Sequence, residues 1–457
     1  MESTQNAIRN TDELIEFFFL SEKPPPEWRI GIEIEKFGIR SDGSPVQYQG
    51  LGGVQEMLKC LVDRFGWREE REYEGGPVIA LRRNECAITL EPGAQLELSG
   101  SPFYEIEDIA RELADHAQEL AYLSSCFDVH WVSLGFHPLA RNEELEFVPK
   151  LRYGVMRSYL PQQGQMALDM MLRTCTVQAN LDYSSEKDAI KKLQVALRLQ
   201  PVVTAIFANS PFVEGKMSGE RSHRALVWLY VDPNRTGLLD FAWKENAIGY
   251  RDYVEWALDV PMFFIKRKDQ IIKNTGQSFR EFMKNGFQGT FATLEDWKTH
   301  LNTLFPEVRL KRTLELRGAD SVGLRLAPAL AALWKGLLYD PDALQRAESL
   351  ASRLSLDEVK RARPEIARHA LRAILHNREV AEWAWEIVEI ADRGLSALGK
   401  NSSKERRFLE PFRRLIERAK SPADLLLELL DSNRPLLSHV LEYAAFDDKK
   451  FYEQILG

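Results

Sequence analysis

Cysteine is scarce and scattered. Cys60, Cys86, Cys126 and Cys175 are the only four in 457 residues, with no CxxC pair and no Cys/His cluster. Neither a zinc site nor a disulfide framework is signalled, and reduced thiols follow. A long apolar run is missing too: the most hydrophobic stretch, Leu326–Trp334, is too short to cross a bilayer and carries Pro328. Met1–Thr11 is polar, without the apolar segment of a secretory signal. Positive charge is in deficit, with a net charge of −8, the wrong sign for a nucleic-acid or anionic-membrane surface. These absences predict a cytoplasmic protein with no nucleic-acid partner and no membrane partner; they do not show the oligomeric state, for which monomer or homodimer is the expectation. None of the eight histidines falls in an HExxH pattern. Gly399-Lys400 is followed by Asn401, where a phosphate loop needs Ser or Thr, and it follows a helix instead of a strand.

What is present is ordinary globular material, 44% hydrophobic and 28% charged. Alternation of apolar and polar residues predicts strands over Arg29–Arg40, Cys86–Ser99, Val129–Phe136, Thr174–Tyr183 and Leu310–Arg317. Helical spacing fits Thr11–Leu20, Val54–Phe65, Tyr104–Ser125, Glu186–Phe207 and Leu294–Leu304. From about Leu326 onward the chain reads as all helix, with Gly399–Lys404 as a surface loop. The strands are separated by irregular intervals, which favours an α+β fold with an antiparallel sheet over a doubly wound one. Residues 1–325 read as a mixed catalytic core and 326–457 as a helical region packed on it.

Side chains two apart on a strand share a face. That rule groups Glu33 with Glu35, Glu91 with Gln95 and Glu97, Gln178 with Asn180, and Glu315 with Arg317, each opposite an apolar face. A polar strand face usually meets water, but such faces normally mix Lys, Thr and Ser; here only Thr89 and Thr176 interrupt the Glu, Gln, Asn and Arg. If the strands are neighbours, five carboxylates crowd one surface and repel one another unless cations neutralise them. Oxygen ligands without His or Cys select Mg²⁺ or Mn²⁺ over zinc, and Mg²⁺ on a few carboxylates is the usual partner of ATP. Lys150, Arg152, Arg157, Arg224 and Arg235 sit in segments rich in Gly, Pro and aromatics and could serve a dicarboxylate or a triphosphate. Met170 and Met171 suit a core or a pocket for a sulfur substrate. Pattern alone does not divide these roles.

The stretch Gly-Ile-Glu-Ile-Glu-Lys-Phe-Gly at 31–38 resembles the first metal-binding strand of the plant-type glutamate–cysteine ligases. Residues 89–100, 152–161, 168–182, 207–212, 232–237, 257–262 and 305–320 resemble that family's later motifs, in order. The run Leu-Asp-Met-Met-Leu-Arg-Thr-Cys-Thr-Val-Gln-Ala-Asn-Leu-Asp at 168–182 is the most characteristic. The resemblance implies a glutamine-synthetase-like fold, its antiparallel sheet curved into a funnel. It implies ATP-dependent joining of the γ-carboxyl of glutamate to the amine of cysteine, with two or more Mg²⁺ on Glu33, Glu35, Glu91, Glu97, Gln178 and Glu315. Arg235 and Arg317 are then the catalytic arginines, Lys150, Arg152 and Arg235 the ATP-binding cations, and Arg157, Met170, Met171 and Asn180 the substrate contacts. A sister ligase for another amine or acidic amino acid would carry the same metal and ATP motifs. One disulfide cysteine of the plant enzymes lies in the stretch matching Gly318–Ala331, which has no Cys here; redox switching through those bridges is not expected, and a bacterial source is.

Overall fold

A computed structural model describes residues 7–244, 248–267 and 270–456. Alternation along the strands builds one sheet. Its nine strands are β1 (Ile30–Ile39), β2 (Arg68–Arg71), β3 (Val78–Arg83), β4 (Cys86–Leu90), β5 (Leu96–Ser99), β6 (His130–Val132), β7 (Thr176–Leu181), β8 (Val308–Leu310) and β9 (Leu314–Asp320). The order is β8-β9-β7-β1-β5-β4-β3-β2, with β6 on the far end of β1, and every pairing is antiparallel. The α+β expectation with an antiparallel sheet holds.

Antiparallel register turns the parity of each strand into one shared face. Glu35 stands opposite Glu97 and Glu97 opposite Thr89. Glu33 stands opposite Gln178, and Glu315 opposite both Asn180 and Arg309. The other face carries Ile32, Ile34, Ile88, Leu96, Leu98, Val177, Ala179 and Leu316, all buried. Seven helices matter for the site: α1 (Ile106–Cys126), α2 (Leu151–Tyr159), α3 (Ala167–Arg173), α4 (Glu186–Ile206), α5 (His223–Trp228), α6 (Pro328–Leu338) and α7 (Val380–Ala397). Helix α6 packs on β1 and β7, α1 on β1, and α4 on β9, while α7 lies behind α6. Pro328 opens α6 at a position that needs no N–H, and every residue of that helix is buried. Burying the apolar face against these helices leaves the acidic face free to form a site.

Three expectations are corrected. Cys86–Ser99 is not one strand but the hairpin β4–β5, turned at Glu91–Ala94, where Ala94 takes φ +66° and Glu91 N–H donates to Gln95 O. Leu310–Arg317 is likewise the hairpin β8–β9. Gly399–Lys404 is not a loop: Gly399, at φ +118°, precedes the helix Lys400–Glu405. The hairpin β2–β3 was not foreseen, because Arg-Glu-Glu-Arg offers no apolar alternation to read.

Candidate active site

The polar sheet face is the floor of a solvent-connected cavity of about 510 Å³. Its walls come from the β2–β3 hairpin, from Lys150–Met156, from Met170–Thr174, from Arg224 and Trp228, from Phe264, Lys266 and Ile271, and from segment 299–305. That volume lies within the range of small-molecule sites.

At one end of the floor, Glu35, Glu91 and Glu97 each bring a carboxylate oxygen within 4.8 Å of the others. The hairpin turn makes this possible. Gly93 passes so close to α3 that a Cβ there would lie 2.4 Å from Leu172 O. Gln95 fixes the same contact: its amide accepts from Gly93 N–H at 2.8 Å and donates to Met171 O at 3.2 Å and Thr174 O at 3.1 Å. Glu97 accepts from Thr89 Oγ1 and, at 2.8 Å, from Ser99 Oγ, and Glu35 accepts from Thr176 N–H at 2.8 Å. Burial and then repulsion from Glu91 and Glu97 hold the Glu35 carboxyl well above its usual pKa; burial and then Glu97 also raise Glu91. Glu33 is pushed up to about 7 by burial, Glu315 and Glu97, against the pull of Lys311 and a 2.9 Å hydrogen bond from Asn180 Nδ2.

The other end behaves differently. Burial works to raise Glu315, but Arg309, Lys311 and Arg317 outweigh it and hold this carboxyl well below the ordinary range. Arg309 grips it with two bonds of 2.7 and 2.8 Å, Arg317 Nη1 adds one of 2.8 Å, and Lys311 Nζ lies at 3.3 Å. Arg317 Nη1 also donates to Gln178 Oε1 at 2.8 Å, joining the two ends of the floor. Arg309 and Lys311 were missed as site residues. They share the parity of Glu315, so starting the strand at Val308 instead of Leu310 would have found Arg309.

Six expected metal-ligand residues, Glu33, Glu35, Glu91, Glu97, Gln178 and Glu315, all line this cavity, as do Lys150, Arg152, Met170, Met171 and Arg317. Lys150 donates to Leu90 O at 2.8 Å, and burial and Arg152 lower it to about 8. Asn180 reaches the cavity only through its bond to Glu33. Two expectations are corrected. Arg235 is fully buried outside the cavity lining; its guanidinium donates to Asp232 Oδ2 at 2.7 Å, Thr303 O at 3.2 Å and Pro261 O at 2.8 Å, and it stacks 3.8 Å over Phe263. Buried in this way it does not face the funnel, and its contacts brace the wall segment that carries Thr303. Arg157 is exposed in a separate groove beside Phe147.

The sequence model of glutamate–cysteine ligase family 2 matches residues 29–442. Glutamate–cysteine ligase A, chloroplastic, of Oryza sativa subsp. indica is 39% identical over 438 residues, covering 94% of this chain and 87% of the relative. The chloroplastic glutamate–cysteine ligase of Arabidopsis thaliana is 39% identical over 422 residues, covering 92% and 79%. The crystal structure of a glutamate–cysteine ligase from Francisella tularensis in complex with AMP shares the fold at a TM-score of 0.58 and 14% identity, over 94% of this chain and 89% of that one. The plant relatives are chloroplastic, which overturns the expectation of a cytoplasmic protein. Scattered thiols and an acidic net charge do not name a compartment.

Proposed function

The chain belongs to glutamate–cysteine ligase family 2 and is a glutamate–cysteine ligase, and from that premise we propose how its funnel carries the reaction. The γ-carboxylate of glutamate attacks the γ-phosphorus of ATP, and the bond to the bridging oxygen of ADP breaks. The amine of cysteine then attacks the acyl carbon of the resulting γ-glutamyl phosphate. Phosphate leaves, the amine loses a proton, and γ-glutamylcysteine is formed, the first step of glutathione biosynthesis.

The observation that carries the site assignment is the triad Glu35, Glu91 and Glu97, two buried carboxylates and one half-buried, with oxygens within 4.8 Å of one another. An all-oxygen donor set under mutual repulsion fits a hard divalent cation. Glu35, Glu91 and Glu97 would hold one Mg²⁺; Glu33, Gln178 and Glu315 would hold a second, more weakly, because Arg309, Lys311 and Arg317 compete for Glu315. When bound, Mg²⁺ supplies charge neutralisation for the ATP phosphates. Arg317 offers its guanidinium to phosphate or to a glutamate carboxylate. Lys150 and Arg152, on the opposite wall, serve the phosphate chain, and Met170 and Met171 line the amino-acid end. Catalysis is positioning and charge stabilisation, with no covalent enzyme intermediate.

The test is ADP release by the purified protein with Mg-ATP and glutamate, with cysteine present, absent or replaced by 2-aminobutyrate. Release that needs both amino acids, with γ-glutamylcysteine as product, supports the reading. Release with another amine but not with cysteine reassigns the amine pocket; release that is indifferent to divalent cation sinks the metal assignment.

A further inference from the structure

Strand β9 changes step within the site. Leu314, Glu315 and Leu316 stand opposite Leu181, Asn180 and Ala179 of β7, and pairing resumes out of step with Ala319 and Asp320 opposite Val177 and Thr176. Arg317 and Gly318 therefore share the place opposite Gln178, which is a β-bulge. The extra residue decides which side chains face the substrate side. Glu315 and Arg317 face it before the bulge, and Asp320 falls on the face of Thr176 after it. Without the bulge, Asp320 would turn to the helix side and lose its bonds from Asn209 N–H at 2.8 Å, Ser210 Oγ at 2.6 Å and Ser222 Oγ at 2.8 Å.

Three side chains hold the backbone of the bulge. Thr176 Oγ1 donates to Ala319 O at 2.6 Å, Arg224 Nη2 to Arg317 O at 2.8 Å, and Thr204 Oγ1, from α4, to Gly318 O at 2.9 Å. One turn earlier on α4, Gln200 fills the space where a side chain at 318 would stand: a Cβ there would lie 2.3 Å from Gln200 Nε2. Gln200 is 1% exposed and neither amide atom has a hydrogen-bond partner among the described residues. Its contact with Gly318 is thus steric and not bonded.

We propose that Gln200 and Thr204, neither of which lines the acidic funnel, are positioning residues that set the reach of Arg317 by fixing the bulge at Gly318. The inference rests on Arg317 being a substrate-facing guanidinium. Misplacement of such a group by a fraction of an ångström is costly to turnover without touching the chemistry.

The experiment measures kcat, KM for ATP and glutamate, and melting temperature for Thr204→Val, Thr204→Ser, Gln200→Ala, Gly318→Ala, the Gln200→Ala/Gly318→Ala pair and Arg317→Lys. Thr204→Val and Gly318→Ala are expected to lower kcat/KM by about tenfold, mainly through KM, with Thr204→Ser near the parent. The double variant is expected to be more active than Gly318→Ala alone, since truncating Gln200 admits the methyl group. If Gly318→Ala does not fold, the Thr204 pair of variants decides. A crippled Arg317→Lys beside Thr204→Val and Gly318→Ala of unchanged kcat/KM overturns this inference alone. So does a double variant no better than Gly318→Ala, or a Thr204→Val that lowers only the melting temperature. An Arg317→Lys as active as the parent overturns the role of Arg317 and this inference with it.

Discussion

At the β5 end of the funnel floor, Glu35, Glu91 and Glu97 crowd together, and Glu35 and Glu97 are bonded to hydroxyls and a backbone N–H; at the β9 end, Glu315 is gripped by Arg309, Arg317 and Lys311. Both ends bury carboxylates on the same sheet face, four strands apart at most. Two unit charges about 4 Å apart repel by roughly 4 kcal/mol at an effective dielectric near 20. The β9 end meets that cost with its own cations and folds already neutralised. The β5 end leaves it standing, which adds to burial in raising Glu35 and Glu91, and this is the end to which we assign a cation. A cluster of like charges and a cluster of paired charges thus do different work: on the proposed reading one takes a metal, and the other holds arginines in place.

The contrast breaks most visibly at Glu97. Glu97→Ala is expected to lower kcat by about a thousandfold or more through loss of a metal ligand, while circular dichroism stays native; activity near the parent's at low Mg²⁺ would sink the assignment. At the β9 end the larger loss should be in stability. Arg309→Ala leaves Glu315 short of its bidentate partner, and urea denaturation is expected to show a cost of about 3–5 kcal/mol. A cost under half a kcal/mol would mean that Lys311 and Arg317 suffice.

Titration sharpens the contrast with an opposite sign for each end. Glu33 is raised from 4.5 to about 7, and Glu35 and Glu91 move the same way. The folded metal-free protein therefore binds more protons than the unfolded chain across roughly pH 4.5–7, so these groups lower its stability as pH rises through that window. Glu315 is lowered, so its contribution is present above the ordinary carboxylate pKa and is lost as pH falls below it. Scanning calorimetry should show Mg²⁺ raising the melting temperature more at pH 8 than at pH 5; equal gains would contradict the metal-free account of the β5 end. The smallest effect is expected at Arg157, exposed outside the funnel: Arg157→Ala should change kcat/KM by less than about twofold, as surface substitutions do.

Much of the floor was legible because strand parity is a local property. Glu33 and Glu35, or Glu315 and Arg317, share a face whatever lies beside them, and the hairpin β4–β5 pairs odd residues with odd, so Glu91 and Glu97 stayed together even though the predicted single strand was wrong. The arginines were not legible in the same way. Arg235 and Arg317 both sit in strong family motifs, yet one ends buried against Phe263 and the other in the funnel. No local pattern separates them, since a guanidinium's role depends on which acceptors surround it.

The sequence by itself determined most of the element types, the acidic face, the family and the chemistry, because alternation, donor type and long motifs are written along the chain. Only the tertiary structure decided that Glu35, Glu91 and Glu97 converge, that Glu315 arrives already neutralised, and that a one-residue slip at Gly318 puts Arg317 and Asp320 on one side. The physical reason is register: a strand fixes which way its side chains point, but which charges become neighbours depends on pairing between segments that lie up to hundreds of residues apart.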